Sequence, residues 1–144
     1  MNHSPEAADH AHTWALIAGL FAGFNRHELA QTTPDFVAVD HRRLVAFAPG
    51  DIREFARTAF DQIPDLSFRI EAVHRLSNLG AVVTQALRGT SREGFEAEWC
   101  EIHLVMIEGD LFNRSEIFDE ADLDAALTRF QELQSPTPGR DPAL

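Results

Sequence analysis

The chain lacks several residue types, and each absence removes a class of structure or chemistry. None of its 144 residues is lysine or tyrosine, and Cys100 is the only cysteine. A single cysteine cannot form an internal disulfide, so nothing in the composition indicates an oxidising compartment. The chain has no run of about 18 apolar residues and no basic-then-apolar leader, so we expect a cytoplasmic protein without a membrane partner.

Positive charge is scarce as well. The 12 basic residues are all arginine and face 23 acidic ones, which gives a formal net charge of -11. A field of this sign repels nucleic-acid phosphates and anionic membranes, so neither is an expected partner. The histidines at positions 3, 10 and 12 lie near a terminus and no metal-ligand spacing occurs elsewhere, so the sequence predicts no metal and no cofactor.

The length favours a single domain. A chain of this size buries roughly two-thirds of its unfolded surface around one core, and we predict that the domain covers residues 1–134. The segment Ser135-Pro136-Thr137-Pro138-Gly139 opens a tail at 135–144 whose apolar content is too low for folding. We therefore predict that this tail is disordered.

Capping residues and apolar spacing predict four helices. Ser4-Pro5-Glu6 is typical of a helix start, and the first helix runs from there to about Asn25. A short second helix is predicted over 26–31. A third begins at Asp51 and ends before Pro64, and the last follows a cap at Asp119. The apolar stripe of the first helix consists of Trp14, Ile17, Ala18, Phe21 and Phe24.

Alternating apolar and polar residues predict five strands. The first ends at Asp40, and turn signals divide the later chain into strands of about 67–76, 81–90, 95–107 and 111–118. The short loops between the last four indicate an antiparallel meander. The strand at 95–107 is apolar on both faces, so we predict that its outer face forms a homodimer. One face of the strand at 67–76 carries Phe68, Ile70, Ala72, His74 and Leu76.

This element order calls for an α+β architecture in which a curved, mixed and mostly antiparallel sheet wraps around the N-terminal helices. Asp40 at its strand end, the motif Ile52-Arg53-Glu54-Phe55 and the closing segment 109–119 resemble the nuclear transport factor 2-like superfamily, and its SnoaL-like (polyketide-cyclase-like) branch in particular. The resemblance implies a cone-shaped barrel with an internal pocket for a small hydrophobic ligand. Its members include cyclases, isomerases, dehydratases, epoxide hydrolases and pockets without catalysis.

The resemblance also implies roles for individual residues. Asp40 resembles the general base of the ketosteroid isomerases, which likewise ends the first strand. The tyrosine donor of those enzymes has no counterpart here, but His103 shares a strand face with Trp99 and Glu101. We therefore take Asp40, His103 and Glu101 as candidate catalytic residues. The candidate binding residues are Arg42, His74, Trp14, Phe21, Trp99, Glu116 and Phe118.

Structural alternatives stand beside these roles. Asp40 and Arg42, two residues apart, are also suited to an ion pair that ends the strand, and His41 between them faces the opposite side. His103 and His74 are also compatible with hydrogen-bonded core histidines. Two functions stay open: a cofactor-independent acid-base enzyme on a hydrophobic oxygenated substrate, and a non-catalytic ligand-binding or dimerisation domain.

Overall fold

A computed structural model describes residues 10–42, 57, 59–90 and 93–134. The described elements are α1 (Ala11–Asn25), β1 (Thr32–Asp40), β2 (Ser67–Leu76), β3 (Gly80–Thr90), β4 (Glu96–Glu108), β5 (Leu111–Asp119), a 3-10 turn (Glu120–Asp122) and α2 (Leu123–Gln134). Residues 57 and 59–62 are helical and end before Pro64, as predicted. The predicted helix start at Ser4, the cap at Asp51 and the tail at 135–144 lie outside the described residues.

The five strands form one mixed sheet in the order β1-β5-β4-β3-β2. Strands β2 to β5 pair as an antiparallel meander, whereas β1 runs parallel to β5. This arrangement confirms the predicted α+β class and the mostly antiparallel sheet. The parallel pairing places the end of β1 beside the C-terminal part of β5, with Asp40 opposite Ile117.

Helix α1 covers one face of the sheet, called the inner face here. Ile17, Leu20 and Phe21 pack there against Val83 and Val105. The predicted apolar stripe was wrong in one respect, because Trp14 and Ala18 are exposed and Thr13 is buried in their place. The helix is therefore rotated relative to the prediction, with Thr13 rather than Trp14 on its buried side.

The chain turns sharply after α1, so the predicted helix over 26–31 was wrong. His27 adopts a left-handed conformation with φ 59°. The Glu28 N–H donates to the Gly23 carbonyl and the His27 N–H to the Phe24 carbonyl, both at 2.8 Å. This pair of bonds is the Schellman motif, which satisfies the last carbonyls and prevents the helix from continuing. Contacts to the His27 ring from the Leu66 carbonyl at 3.0 Å and the Phe60 ring at 4.4 Å hold the turn.

Helix α2 covers the opposite, outer face. Ala126 and Phe130 pack against the outward side chains of β4 and β5, which are Ile102, Leu104, Met106 and Phe118. The predicted homodimer rested on the expectation that this apolar strip needs a second chain. That reasoning was wrong, because the last helix of the same chain covers the strip.

Strand β2 does not keep the regular alternation that the sequence predicted. Its pairing with β3 shifts register between Ile70 and Ala72 and again between Val73 and Arg75. Bulges of this kind turn the following side chains towards the other face. His74 consequently lies on the outer face, where its Nε2 is 2.7 Å from the hydroxyl of Thr84.

Candidate functional site

A cavity of about 340 Å³ lies between the inner face, α1 and the segment 59–66. Most of its wall is apolar and aromatic, which suits a small hydrophobic molecule. Representative wall residues are Leu20, Phe24, Phe36, Phe60, Phe68 and Leu87. Polar groups gather in one part of the wall, and five of them form a continuous hydrogen-bonded series that we call the inner polar chain: Arg42, Glu101, Gln85, His103 and Ser115.

The inner polar chain begins where β1 ends. The Asp40 carboxylate is completely buried and accepts hydrogen bonds from the Arg42 backbone N–H at 2.9 Å, from Nε at 2.9 Å and from Nη2 at 2.8 Å. The backbone bond from residue i+2 to the Asp40 side chain has the pattern of an Asx-turn. The ion pair that the sequence offered as an alternative is therefore present. Asp40 is not among the described residues that line the cavity. Its carboxylate instead holds the Arg42 side chain in position.

Arg42 carries the chain from β1 to β4. Its Nη1 donates to Glu101 Oε2 at 2.6 Å, and the Trp99 indole N–H donates to the same oxygen at 3.1 Å. Burial lowers the pKa of Arg42. The hydrogen bond to Asp40 and the charges of both carboxylates raise the pKa by more than burial lowers it, so the net pKa of Arg42 is raised. Arg42 thus stays a cation between two buried carboxylates, which neutralises much of their charge.

The polarity of the remaining bonds follows from Arg42 and Trp99, which can only donate. Glu101 is therefore an acceptor, and its Oε1 accepts a hydrogen bond from Gln85 Nε2 at 3.0 Å. Gln85 Oε1 then faces His103 Nδ1 at 2.9 Å, so Nδ1 carries the imidazole hydrogen. His103 Nε2 is left as an acceptor for the Ser115 hydroxyl at 2.6 Å. Donation therefore converges on Glu101, from Arg42 at one end and from Ser115 through His103 and Gln85 at the other.

His103 is neutral over the physiological pH range. Desolvation by burial, followed by the positive charge of Arg42, lowers the pKa of His103 to about 4. The ring also packs edge-on against Phe21, at 6.3 Å between ring centroids. A buried neutral imidazole in a cavity wall can accept and return a proton without a permanent charge in the site.

The seven predicted binding residues fall into three groups. Arg42 and Trp99 line the cavity, and their binding role stays a prediction. Phe21 packs in the core behind His103, and Trp14 is exposed on α1. The described lining residues include neither of these two aromatics, so the geometry does not support a binding role for them.

His74, Glu116 and Phe118 lie on the outer face, away from the cavity. The fully buried Glu116 carboxylate accepts from His41 Nε2 at 2.7 Å, from Arg114 at 2.8 Å and from Arg129 at 3.2 Å. Burial raises the pKa of Glu116, but these hydrogen bonds and charges outweigh it, and the net pKa is lowered. Glu116 therefore joins β1, β5 and α2 and is not a ligand-binding group of the inner cavity.

Sequence reasoning missed Gln85 and Ser115. Each is a small or neutral polar residue in an apolar strand, and such a residue on a buried face is the only local signal of a role. Gln85 faces Glu101 directly across the β3–β4 ladder. Ser115 reaches His103 diagonally, because the residue directly opposite His103 is Ile117. Only the register of three strands brings these residues together.

In residues 10–42, 57, 59–90 and 93–134, no group of three or more His, Cys, Asp and Glu residues could hold a metal ion. Within the same part of the chain, no helix has both the length and the apolar character needed to cross a membrane.

The fold is shared with many solved structures. A proposed SnoaL-like polyketide cyclase from Jannaschia sp. CCS1 is 18% identical, with a TM-score of 0.62 over 94% of this chain and 99% of that chain. The BvnE pinacolase from Penicillium brevicompactum is 15% identical, with a TM-score of 0.66 over 85% and 96% of the two chains. An NTF2-like protein of unknown function from Burkholderia pseudomallei K96243 is 18% identical, with a TM-score of 0.58 over 81% and 98%.

These similarities confirm the predicted resemblance to the nuclear transport factor 2-like superfamily and its SnoaL-like branch at the level of the fold. No family model matches the sequence, and neither does any curated protein. At identities below one fifth, the solved structures carry no information about which reaction this chain performs.

The Asp40–Arg42 pair generates a stability prediction. We expect Asp40→Asn to lower the free energy of unfolding by about 3 kcal/mol or more, because it leaves part of a buried cation without its partner. Asp35→Asn, on the exposed side of the same strand, should change it by less than about 0.5 kcal/mol. Urea denaturation measures both. Unchanged stability of the Asp40 variant together with lost turnover would instead restore Asp40 as a catalytic base.

The buried imidazole generates a pH prediction. The folded pKa of His103 is about 4 against an ordinary value of 6.5, so between these values the unfolded chain binds a proton that the native state refuses. Stability is therefore lost as the pH falls, by about 2 kcal/mol between pH 7.5 and pH 5. In His103→Gln, this part of the loss should be absent. Parallel urea-stability profiles of wild type and variant would contradict a depressed pKa.

Proposed function

We propose that this chain is a cofactor-independent acid-base enzyme that acts on a small hydrophobic, oxygenated substrate. The observation that carries the proposal is a buried neutral His103 in the wall of an apolar cavity, oriented through Gln85 by the Glu101 carboxylate. A histidine held in one tautomer by an amide and a carboxylate is ready for proton transfer, since its orientation costs nothing at the moment of reaction.

Each part of the site has a role in this proposal. The aromatic and aliphatic wall binds the carbon skeleton and excludes water. His103 takes a proton from the substrate and returns it, while Glu101 stabilises the transient imidazolium through Gln85. Asp40, which the sequence suggested as the base, acts indirectly by holding Arg42 in place.

We propose only a broad class of reaction, and not one particular reaction. Proton removal and return suit cyclisation, isomerisation, dehydration and epoxide opening alike. The likeness in fold to a proposed polyketide cyclase and to a pinacolase supports chemistry on small oxygenated molecules, without selecting among these reactions.

A non-catalytic ligand-binding domain is the second candidate. This candidate is favoured by the three hydrogen bonds that Arg42 donates to the Asp40 carboxylate. These bonds engage the group that resembles the general base at the end of the first strand in the ketosteroid isomerases. Both candidates require a ligand in the cavity, and they differ in whether His103 changes turnover.

His103→Gln separates the two candidates. The glutamine amide can donate to Gln85 and accept from Ser115, so it keeps the hydrogen bonds and removes the titrating group. We expect retained ligand binding and a turnover lowered by about 100- to 10,000-fold, the usual contribution of a general base. Binding is measured by thermal shift, and conversion of terpenoid epoxides, hydroxyketones and steroid-like enones by chromatography with mass detection.

The matched control is His74→Gln. His74 lies on the outer face, bonded to Thr84, so the same substitution there should leave turnover within about twofold of wild type. Equal turnover of the His103 variant would contradict the acid-base role. Binding of these compounds by wild type without conversion of any of them would favour the non-catalytic domain.

The homodimer and the cytoplasmic location stay predictions. With α2 over the apolar strip, the remaining outer face of β2 and β4 carries the ion pairs of Arg69 with Glu71 and Glu98, which gives a dimer there a polar character. Light scattering tests the dimer. A molar mass near 16.1 kDa at micromolar concentration, unchanged on dilution, would reject it.

A further inference from the structure

The inner polar chain ends at a hydroxyl in the cavity wall. Ser115 Oγ lies 2.6 Å from His103 Nε2, and both residues line the cavity. The sequence did not predict that they form a pair. A serine hydroxyl has one hydrogen and two acceptor lone pairs, so the hydrogen it gives to one partner is lost to every other. Whether Ser115 can donate a hydrogen bond to a ligand therefore depends on whether its hydrogen is already bonded to His103 Nε2.

The direction of the chain decides this question. Arg42 and the Trp99 indole can only donate, Glu101 can then only accept, and the Gln85 amide is fixed with its oxygen towards His103 Nδ1. Nε2 is consequently an acceptor and holds the Ser115 hydrogen. A ligand in the cavity therefore meets only the lone pairs of Ser115 Oγ.

We propose that Ser115 Oγ is a ligand-contacting specificity residue that accepts a hydrogen bond from a hydroxyl of the substrate, so that the cavity selects phenols and enols over molecules that carry acceptors alone. The inference rests on the cavity of the proposed function but not on its catalysis. It narrows the substrate class from oxygenated compounds in general to those that present an O–H group to this wall.

Burial reinforces the selection. Ser115 is 7% exposed and His103 is 4% exposed, so bulk water cannot replace a missing partner at low cost. An acceptor-only group such as an aldehyde oxygen or an epoxide oxygen placed against Oγ meets lone pairs and gains no bond. A hydroxyl at the same place completes the chain from Arg42 to the ligand.

Under the proposed acid-base function, the same geometry would also supply a proton route. When the substrate O–H bond breaks, its hydrogen passes to Ser115 Oγ, and the original Ser115 hydrogen passes to His103 Nε2. The electron pair remains on the substrate oxygen as an enolate or phenolate, and the imidazole becomes an imidazolium. No oxidant, reductant or further reactant is needed for this step.

A binding cycle tests the proposal with three naphthalenes and two isosteric variants. Ser115→Thr keeps the hydroxyl, and Ser115→Val replaces it with a methyl group of the same shape. The probes are 2-naphthol, which donates, 2-methylnaphthalene, which neither donates nor accepts, and 2-naphthaldehyde, which only accepts. Dissociation constants come from fluorescence titration, and the comparison cancels differences in hydrophobicity between probes.

The change from Thr to Val at position 115 should weaken the binding of 2-naphthol about five- to tenfold more than the binding of 2-methylnaphthalene. This factor is the usual contribution of one hydrogen bond. The change for 2-naphthaldehyde should match that for 2-methylnaphthalene. His103→Gln should keep the preference for 2-naphthol measured in wild type, since the amide oxygen also accepts from Ser115. That preference is an equilibrium property, so it persists even where no compound is converted, which distinguishes it from the proposed function.

Three results would overturn the proposal. Equal changes for all three probes would show that the hydroxyl makes no ligand contact. A loss confined to 2-naphthaldehyde would show that Ser115 donates to the ligand and that the chain runs in the opposite direction. No binding of any probe by wild type would reject the cavity as a site for such molecules. If circular dichroism shows that Ser115→Val does not fold, wild type and Ser115→Ala complete the same cycle.

Discussion

The guanidinium of Arg42, held between Asp40 and Glu101, is the interaction on which the site depends. It joins the end of β1 to the middle of β4 and neutralises two carboxylates in a region with little water. A guanidinium has only donors, so its neighbours must accept. From that constraint the orientation of the Gln85 amide and the tautomer of His103 both follow.

The end of β1 organises both faces of the sheet. Asp40 and Arg42 turn inwards, whereas His41 between them turns outwards to Glu116 and stacks on Phe118 at 4.2 Å. The His41 backbone N–H continues the parallel ladder by donating to the Ile117 carbonyl at 2.8 Å. Three consecutive residues therefore fix the inner site and help to attach the last helix on the outer face, so a change at this strand end acts on both.

A polar chain in an apolar cavity gives this fold both binding and selectivity. The aromatic wall binds without direction, because apolar contact depends on area, while the few polar groups discriminate through the position of their hydrogens. Burial lowers the pKa of His103 and so keeps that position constant over a wide pH range. Apolar character and hydrogen-bond direction thus act together.

The sequence by itself determined the strands, the shared face of Glu101 and His103 on β4, and the closeness of Asp40 and Arg42 at the end of β1. These features are local, since alternation and an i, i+2 contact need no knowledge of other segments. The turn at His27 depends on contacts with Leu66 and Phe60, which are remote in the chain. A sequence pattern alone therefore favoured a helix there.

The tertiary structure alone decided what the polar residues do. Gln85 and Ser115 meet His103 only because three strands pair in one register, and His74 leaves the inner face only because β2 carries two register shifts. Likewise, the apolar strip of β4 meets α2 rather than a second chain. Register and helix placement minimise the free energy of the whole sheet, and no single segment of the sequence contains that information.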